Sequence, residues 1–112
     1  MHIKNQQILN HKFLQEMYED NYFPNHLVDK AQQILIALCE VIERDNPTDN
    51  ENLFQLTHTA TNQFNELAAE FEENICEIET GAREAIGADF EFIAKAYGFE
   101  VDIEDVIATR DW

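Results

Sequence analysis

From Leu53 to Ile78 an apolar residue recurs every three or four positions: Leu53, Leu56, Ala60, Phe64, Leu67, Phe71, Ile75 and Ile78. Steps of that size put every one of these side chains on one face of an α-helix, and no strand periodicity of two accommodates them. The pattern predicts a helix of up to about seven turns at ~3.6 residues per turn. So long an amphipathic helix must bury its stripe against other elements, and the rest of the chain is read for what could cover it.

Three other segments carry a helical stripe. Residues 5–19 place Leu9, Phe13 and Met17 at i, i+4 and i+8, with Leu14 and Tyr18 beside them. After EDNYFP, Pro24 suits the first turn of a second helix carrying Leu27, Ala31, Ile34, Leu35, Leu38 and Ile42. The polar stretch RDNPTDNEN ends it as a loop, and the long helix follows. A break at ETG, residues 79–81, separates that helix from a fourth, whose stripe is Ala82, Ile86, Phe90, Ile93 and Tyr97, with Gly98 as its C-cap. Asp102 caps a short fifth helix holding Ile103, Val106 and Ile107. Alternation in FEVDIEDV admits a short strand there, but a lone strand has nothing to pair with. The expectation is an all-α, single-domain antiparallel bundle of four main helices plus a short C-terminal one, over residues 1–112. At 112 residues with 45% hydrophobic side chains, one core without disulfide or metal staples suffices.

Charge narrows function mostly by exclusion. The 23 acids and 7 bases give a net charge of −16, more than solubility requires. The few cations are scattered, which excludes direct binding to nucleic acid or an anionic membrane surface and makes a basic protein the natural partner. No apolar run reaches membrane-spanning length, and the N-terminus lacks the apolar core of a signal peptide, so a cytoplasmic protein is expected. Cys39 and Cys76, in predicted helices and without a CxxC neighbour, read as inert buried thiols.

The acids crowd residues 64–79, FNELAAEFEENICEIE, where no lysine or arginine intervenes. Glu66, Glu70, Glu73 and Glu77 share one stripe about a third of a turn from the core stripe, and Glu84 and Glu91 extend it if the fourth helix packs antiparallel alongside. Like charges at i, i+4 disfavour the helix by roughly 0.2–0.5 kcal/mol each, so local stability does not account for the pattern. Three readings compete: a solvated face, a carboxylate metal site, and a face for a basic partner. The metal reading lacks the Glu-x-x-His spacing of carboxylate di-metal bundles, since QLTH puts Gln55 three before His58; no metal and no cofactor are expected. The remaining two differ in whether reversing charge at Glu70 and Glu73 alters partner capture.

Catalytic signatures are sparse. The chain has no serine and only three glycines, Gly81, Gly87 and Gly98, so neither a serine triad nor a glycine-rich phosphate cradle can be assembled. Asp89, between Ile86 and Ile93 on one helical face, is the acid expected to be partly buried, with His58 or Arg83 as the partner such a carboxylate needs. A structural contact that fixes helix register competes with a polar pocket around Asp89, His58 and Arg83. Acid-first i, i+4 pairs, Glu40–Arg44, Glu79–Arg83 and Glu91–Lys95, read as surface support. Tyr18, Tyr22 and Phe23 at the first interhelical turn, and Trp112, read as staples between helices or as interface anchors.

Taken together, KFLQEMYEDNYFP, LVDK and FEFIAKAYGFEVDIEDVIATRDW resemble an uncharacterised family of small acidic bacterial proteins. The resemblance implies a bacterial cytosolic setting and brings no catalytic residues with it. The two functional classes carried forward are a non-enzymatic acidic protein that binds a basic protein partner, of the immunity, inhibitor or DNA-mimic type, and a helical ligand-binding domain or enzyme.

Overall fold

The computed structural model of the chain describes residues 3–74 and 80–112. Six helices are assigned: α1 (Gln6–Leu9), α2 (Gln15–Glu19), α3 (Asn25–Asp45), α4 (Asn50–Glu73), α5 (Thr80–Ala96) and α6 (Ile103–Val106). The described residues contain no strand, so the all-α expectation holds and the strand alternative near Val101 does not.

Local capping chemistry marks several helix ends. Pro24 sits at the N-cap of α3, and Asn46 ends that helix in the left-handed region, φ 48°, which asparagine tolerates better than most residues. The Asp49 side chain accepts the Asn52 N–H at 2.8 Å and caps α4. At the end of α5, Gly98 takes φ 87°, the Phe99 N–H reaches the Ala94 carbonyl at 2.9 Å and the Gly98 N–H the Lys95 carbonyl at 3.0 Å. Those two bonds form a Schellman closure, which needs the glycine. Asp102 caps α6 by accepting the Glu104 N–H at 3.0 Å.

Three boundaries differ from those expected, the first being α5, which begins at Thr80 inside the ETG stretch expected as a break. Residues 5–19 form two short helices, not one, because Leu14 takes φ 58° and breaks the run. The break lets Phe13, Leu14 and Met17 all turn inward, whereas Leu9, counted as a core residue from spacing, is 53% exposed and Ile8 is buried instead. The long helix stops at Glu73, where the Asn74 side chain donates to the Glu70 carbonyl at 2.8 Å; Ile75 and Ile78, expected to continue its stripe, lie outside the described residues. Among the described residues the architecture is therefore three long helices and three short ones.

α3 and α4 form an antiparallel hairpin: Lys30, near the start of α3, meets Glu70, near the end of α4, at 2.6 Å. α5 covers the hairpin and also meets α1, α2 and α6. Leu27, Leu35, Leu53, Phe64, Phe71, Ile86 and Phe90 are each at most 1% exposed within one continuous cluster. Phe64 stands edge-on to Phe90 at 5.6 Å between ring centres and tilted against Trp112 at 6.0 Å. Trp112 is buried and acts as a staple of the C-terminal segment, as does Phe23, edge-on to Phe71 at 6.0 Å; Tyr22 is 45% exposed. No described helix is long and apolar enough to cross a membrane.

Candidate functional site

Asp89 falls on the inward face of α5 and is 7% exposed, as its place between Ile86 and Ile93 requires. Its partners come from the other end of the chain. Oδ1 lies 2.8 Å from His11 Nε2, and Oδ2 accepts the Leu14 N–H at 2.7 Å. One carboxylate thus holds both ends of the tight connection between α1 and α2. Leu14 illustrates what that connection costs: a left-handed conformation disfavours a leucine by roughly 1–2 kcal/mol, and the charge-assisted bond to Asp89 plus burial of its side chain offset it. Neither His58 nor Arg83, the two partners expected for Asp89, is bonded to it. His58 Nε2 instead donates to the Asp105 carbonyl at 2.7 Å, with its ring stacked on Phe54, and Arg83 Nε donates to the Trp112 carbonyl at 2.7 Å. Those two side chains dock the C-terminal segment, and they do not join Asp89 in one pocket.

His11 is held on three sides. Its ring stacks on Phe92 at 4.0 Å and meets the edge of Phe13 at 4.7 Å, while Nε2 faces Asp89. A carboxylate only accepts, so Nε2 carries the hydrogen and Nδ1 is left as an acceptor in the neutral ring. The His11 side chain remains 26% exposed and opens, with Lys12, Gln15, Glu16, Glu19 and Glu84, onto a cleft of about 570 Å³ beside α2 and α5. Chemically this is an oriented imidazole in a predominantly acidic cleft. Nothing in the sequence around His11 marks it: its neighbours Asn10 and Lys12 are also polar, and both are exposed.

The six glutamates expected on one face divide among different surroundings. Glu66 and Glu73 on α4 are exposed, Glu70 is half-buried and bridged to Lys30, and Glu77 lies outside the described residues. Glu84 borders the His11 cleft, and Glu91 pairs with Lys95 at 2.6 Å in the expected i, i+4 geometry. No lysine within α4 offsets the stripe, but at Glu70 a cation comes from the neighbouring helix, which spacing within α4 could not reveal. Among the other expected pairs, Arg44 bonds Asp45 and not Glu40, and Glu79 lies outside the described residues.

A second polar cluster escaped the sequence reading. Glu43, near the end of α3, accepts the backbone N–H groups of Lys4 at 2.8 Å and Asn5 at 3.2 Å and the Tyr97 hydroxyl at 2.5 Å. Burial alone would raise the Glu43 carboxyl, but hydrogen bonds from Tyr97 and the two backbone groups overcome it and hold it below its ordinary value. Burial and the bond to Glu43 push the Tyr97 phenol well above the usual range. Cys39, one turn before Glu43 and fully buried, is pushed up to about 12 by burial and by the Glu43 charge, which makes it an inert thiol; Cys76 lies outside the described residues. The available signal was positional: Glu43 is four residues after Cys39, on the same helical stripe. Among the described residues no three His, Cys, Asp or Glu side chains converge as a metal-ligand set.

Residues 7–112 match the model of a family of unknown function, DUF5713, and the chain belongs to that family. No curated protein and no solved structure matches it.

Proposed function

We propose, from the chemistry of this chain because its family brings no activity with it, that the protein is a non-enzymatic acidic interaction protein. It binds a basic protein partner through the glutamate-bearing face of α4, in the manner of an immunity protein, inhibitor or DNA mimic in a bacterial cytosol. The observation that carries the reading is the state of Glu66 and Glu73. Both are exposed on the longest helix, and neither makes an ion pair among the described residues, in a chain of net charge −16. They lie seven residues apart on one stripe, about 10 Å at ~1.5 Å rise per residue. Uncompensated like charge on a folded surface raises the local concentration of a cationic partner. A low-salt pull-down from native lysate with the unaltered protein and with a Glu66→Lys, Glu73→Lys variant tests it. A basic protein retained stoichiometrically by the first and lost by the second supports the reading; equal recovery reduces the face to solvation.

The cleft at His11 favours a second reading, a ligand-binding helical domain or enzyme. An imidazole oriented by a buried carboxylate is the arrangement proton-transfer sites use, and structural pairs use it too. Titrating small amines and carboxylic acids against the His11 ring resonances separates the two. A saturable shift abolished by Asp89→Asn favours a ligand site, and unchanged resonances favour a structural clasp.

A further inference from the structure

The antiparallel packing of α3 and α4 leaves a groove of about 360 Å³ between their outer faces, and its lining differs from the rest of the acidic surface. Ile34 and Ala37 supply apolar surface over the buried Leu67, Gln33 and Gln63 line its walls, Glu66 borders one side, and the 2.6 Å Lys30–Glu70 bridge closes one end. Glu73 stands a turn beyond Glu70 on the same stripe and is exposed. Two long helices thus present a shallow groove with an apolar floor at Ile34 and Ala37 and a carboxylate, Glu66, on its α4 side.

We propose that this groove docks a basic amphipathic helix of the partner. The inference rests on the acidic-partner reading above and names the shape and chemistry of what the face receives. Length, polarity and charge each select that occupant. From Lys30 to Ala37 the groove runs seven residues, about 10 Å at ~1.5 Å per residue, or two helical turns. A helix with apolar residues at i, i+3 or i+4, and i+7 presents a strip of the same length, and helix-in-groove recognition uses that spacing. Glu66, on the groove's edge, and Glu73, a turn past the Lys30–Glu70 bridge, are also seven residues apart, so lysines or arginines seven apart on an incoming helix that continues over the bridge meet both carboxylates. A nucleic acid or an anionic membrane is repelled by the same charges.

The test uses two synthetic peptides of identical composition. One has leucines at i, i+4 and i+7 flanked by lysines seven apart; its isomer has the leucines redistributed so that no strip forms. The native protein should bind the first at least about tenfold more tightly than the second, a difference of ~1.4 kcal/mol. Ala37→Gln puts a neutral polar side chain at an exposed helical position inside the groove, which the helix tolerates. It should bring the first peptide to the level of the isomer while leaving the helical spectrum unchanged. Glu66→Lys with Glu73→Lys should weaken both peptides. If the native protein does not distinguish the peptides and Ala37→Gln changes neither, the groove inference is overturned, while loss of both peptides on charge reversal keeps the acidic face. If charge reversal also changes nothing, both fall.

Discussion

Replacing Asp89 with alanine should destabilise the fold out of proportion to the few atoms removed. The carboxylate accepts two hydrogen bonds, and one of the donors it leaves, the Leu14 N–H, is buried. An orphaned buried donor costs about 1–3 kcal/mol, whereas the lost His11 contact, on a ring still 26% exposed, costs about 1 kcal/mol or less. The left-handed Leu14 also loses the bond that offsets its strain. The sum is about 3 kcal/mol. With an unfolding entropy of roughly 2.1 cal/mol/K per residue over a chain of this length, the melting temperature should fall by roughly 10–15 °C. Asp89→Asn keeps an acceptor for the Leu14 N–H and should lose only about 1 kcal/mol. Urea and thermal melts of the three proteins at pH 7, with amide exchange at Leu14, give the comparison. An alanine variant within about 0.5 kcal/mol of the native protein, or an asparagine variant as damaged as alanine, would show that the carboxylate does not hold the α1–α2 connection.

Stability should decline from about pH 9 towards pH 12. Cys39 and Tyr18 are both pushed up to about 12 by burial, aided at Tyr18 by its bond to Asp29, and Tyr97 is pushed higher still. A raised folded-state value contributes stability that is complete below the unfolded value, from 9.0 for the thiol and 10.0 for the phenols, and is lost as pH rises towards the folded one. Urea melts of Tyr97→Phe should show a shallower decline than the native protein; an identical slope refutes the Glu43 network as its source. Gly98→Ala should destabilise by about 1 kcal/mol, because φ 87° strains any residue with a Cβ while the space around it is open; an unchanged melt would contradict the Schellman closure. Raising NaCl from 10 to 150 mM, which shortens screening from about 30 Å to about 8 Å, should raise the melting temperature by relieving repulsion among the acids, and a fall would count against it.

What the sequence made legible was set by periodicity and capping. The stripes of α3, α4 and α5, the Gly98 and Asp102 caps and the burial of Asp89 all follow from residue type and local spacing. Partnership did not. Asp89 meets His11 across 78 positions, Glu43 meets Tyr97 across 54, and Glu70 meets Lys30 across 40. Each pairing depends on how helices pack, which a stripe does not encode. The single helix expected over residues 5–19 splits for a related reason: its i, i+4, i+8 pattern fits a helix, but a tertiary hydrogen bond from the Leu14 N–H to Asp89 outweighs helix continuity.

The salt dependence of association reaches the central proposal most directly. For the basic protein recovered by pull-down, the association rate constant should fall steeply between 10 and 150 mM NaCl, because the field of Glu66 and Glu73 steers the encounter and salt screens it. Glu66→Lys with Glu73→Lys should lower the low-salt rate by about tenfold or more and flatten the slope, with the helical spectrum unchanged. Equal rates and equal slopes for the two proteins would mean that these glutamates only keep the helix in solution.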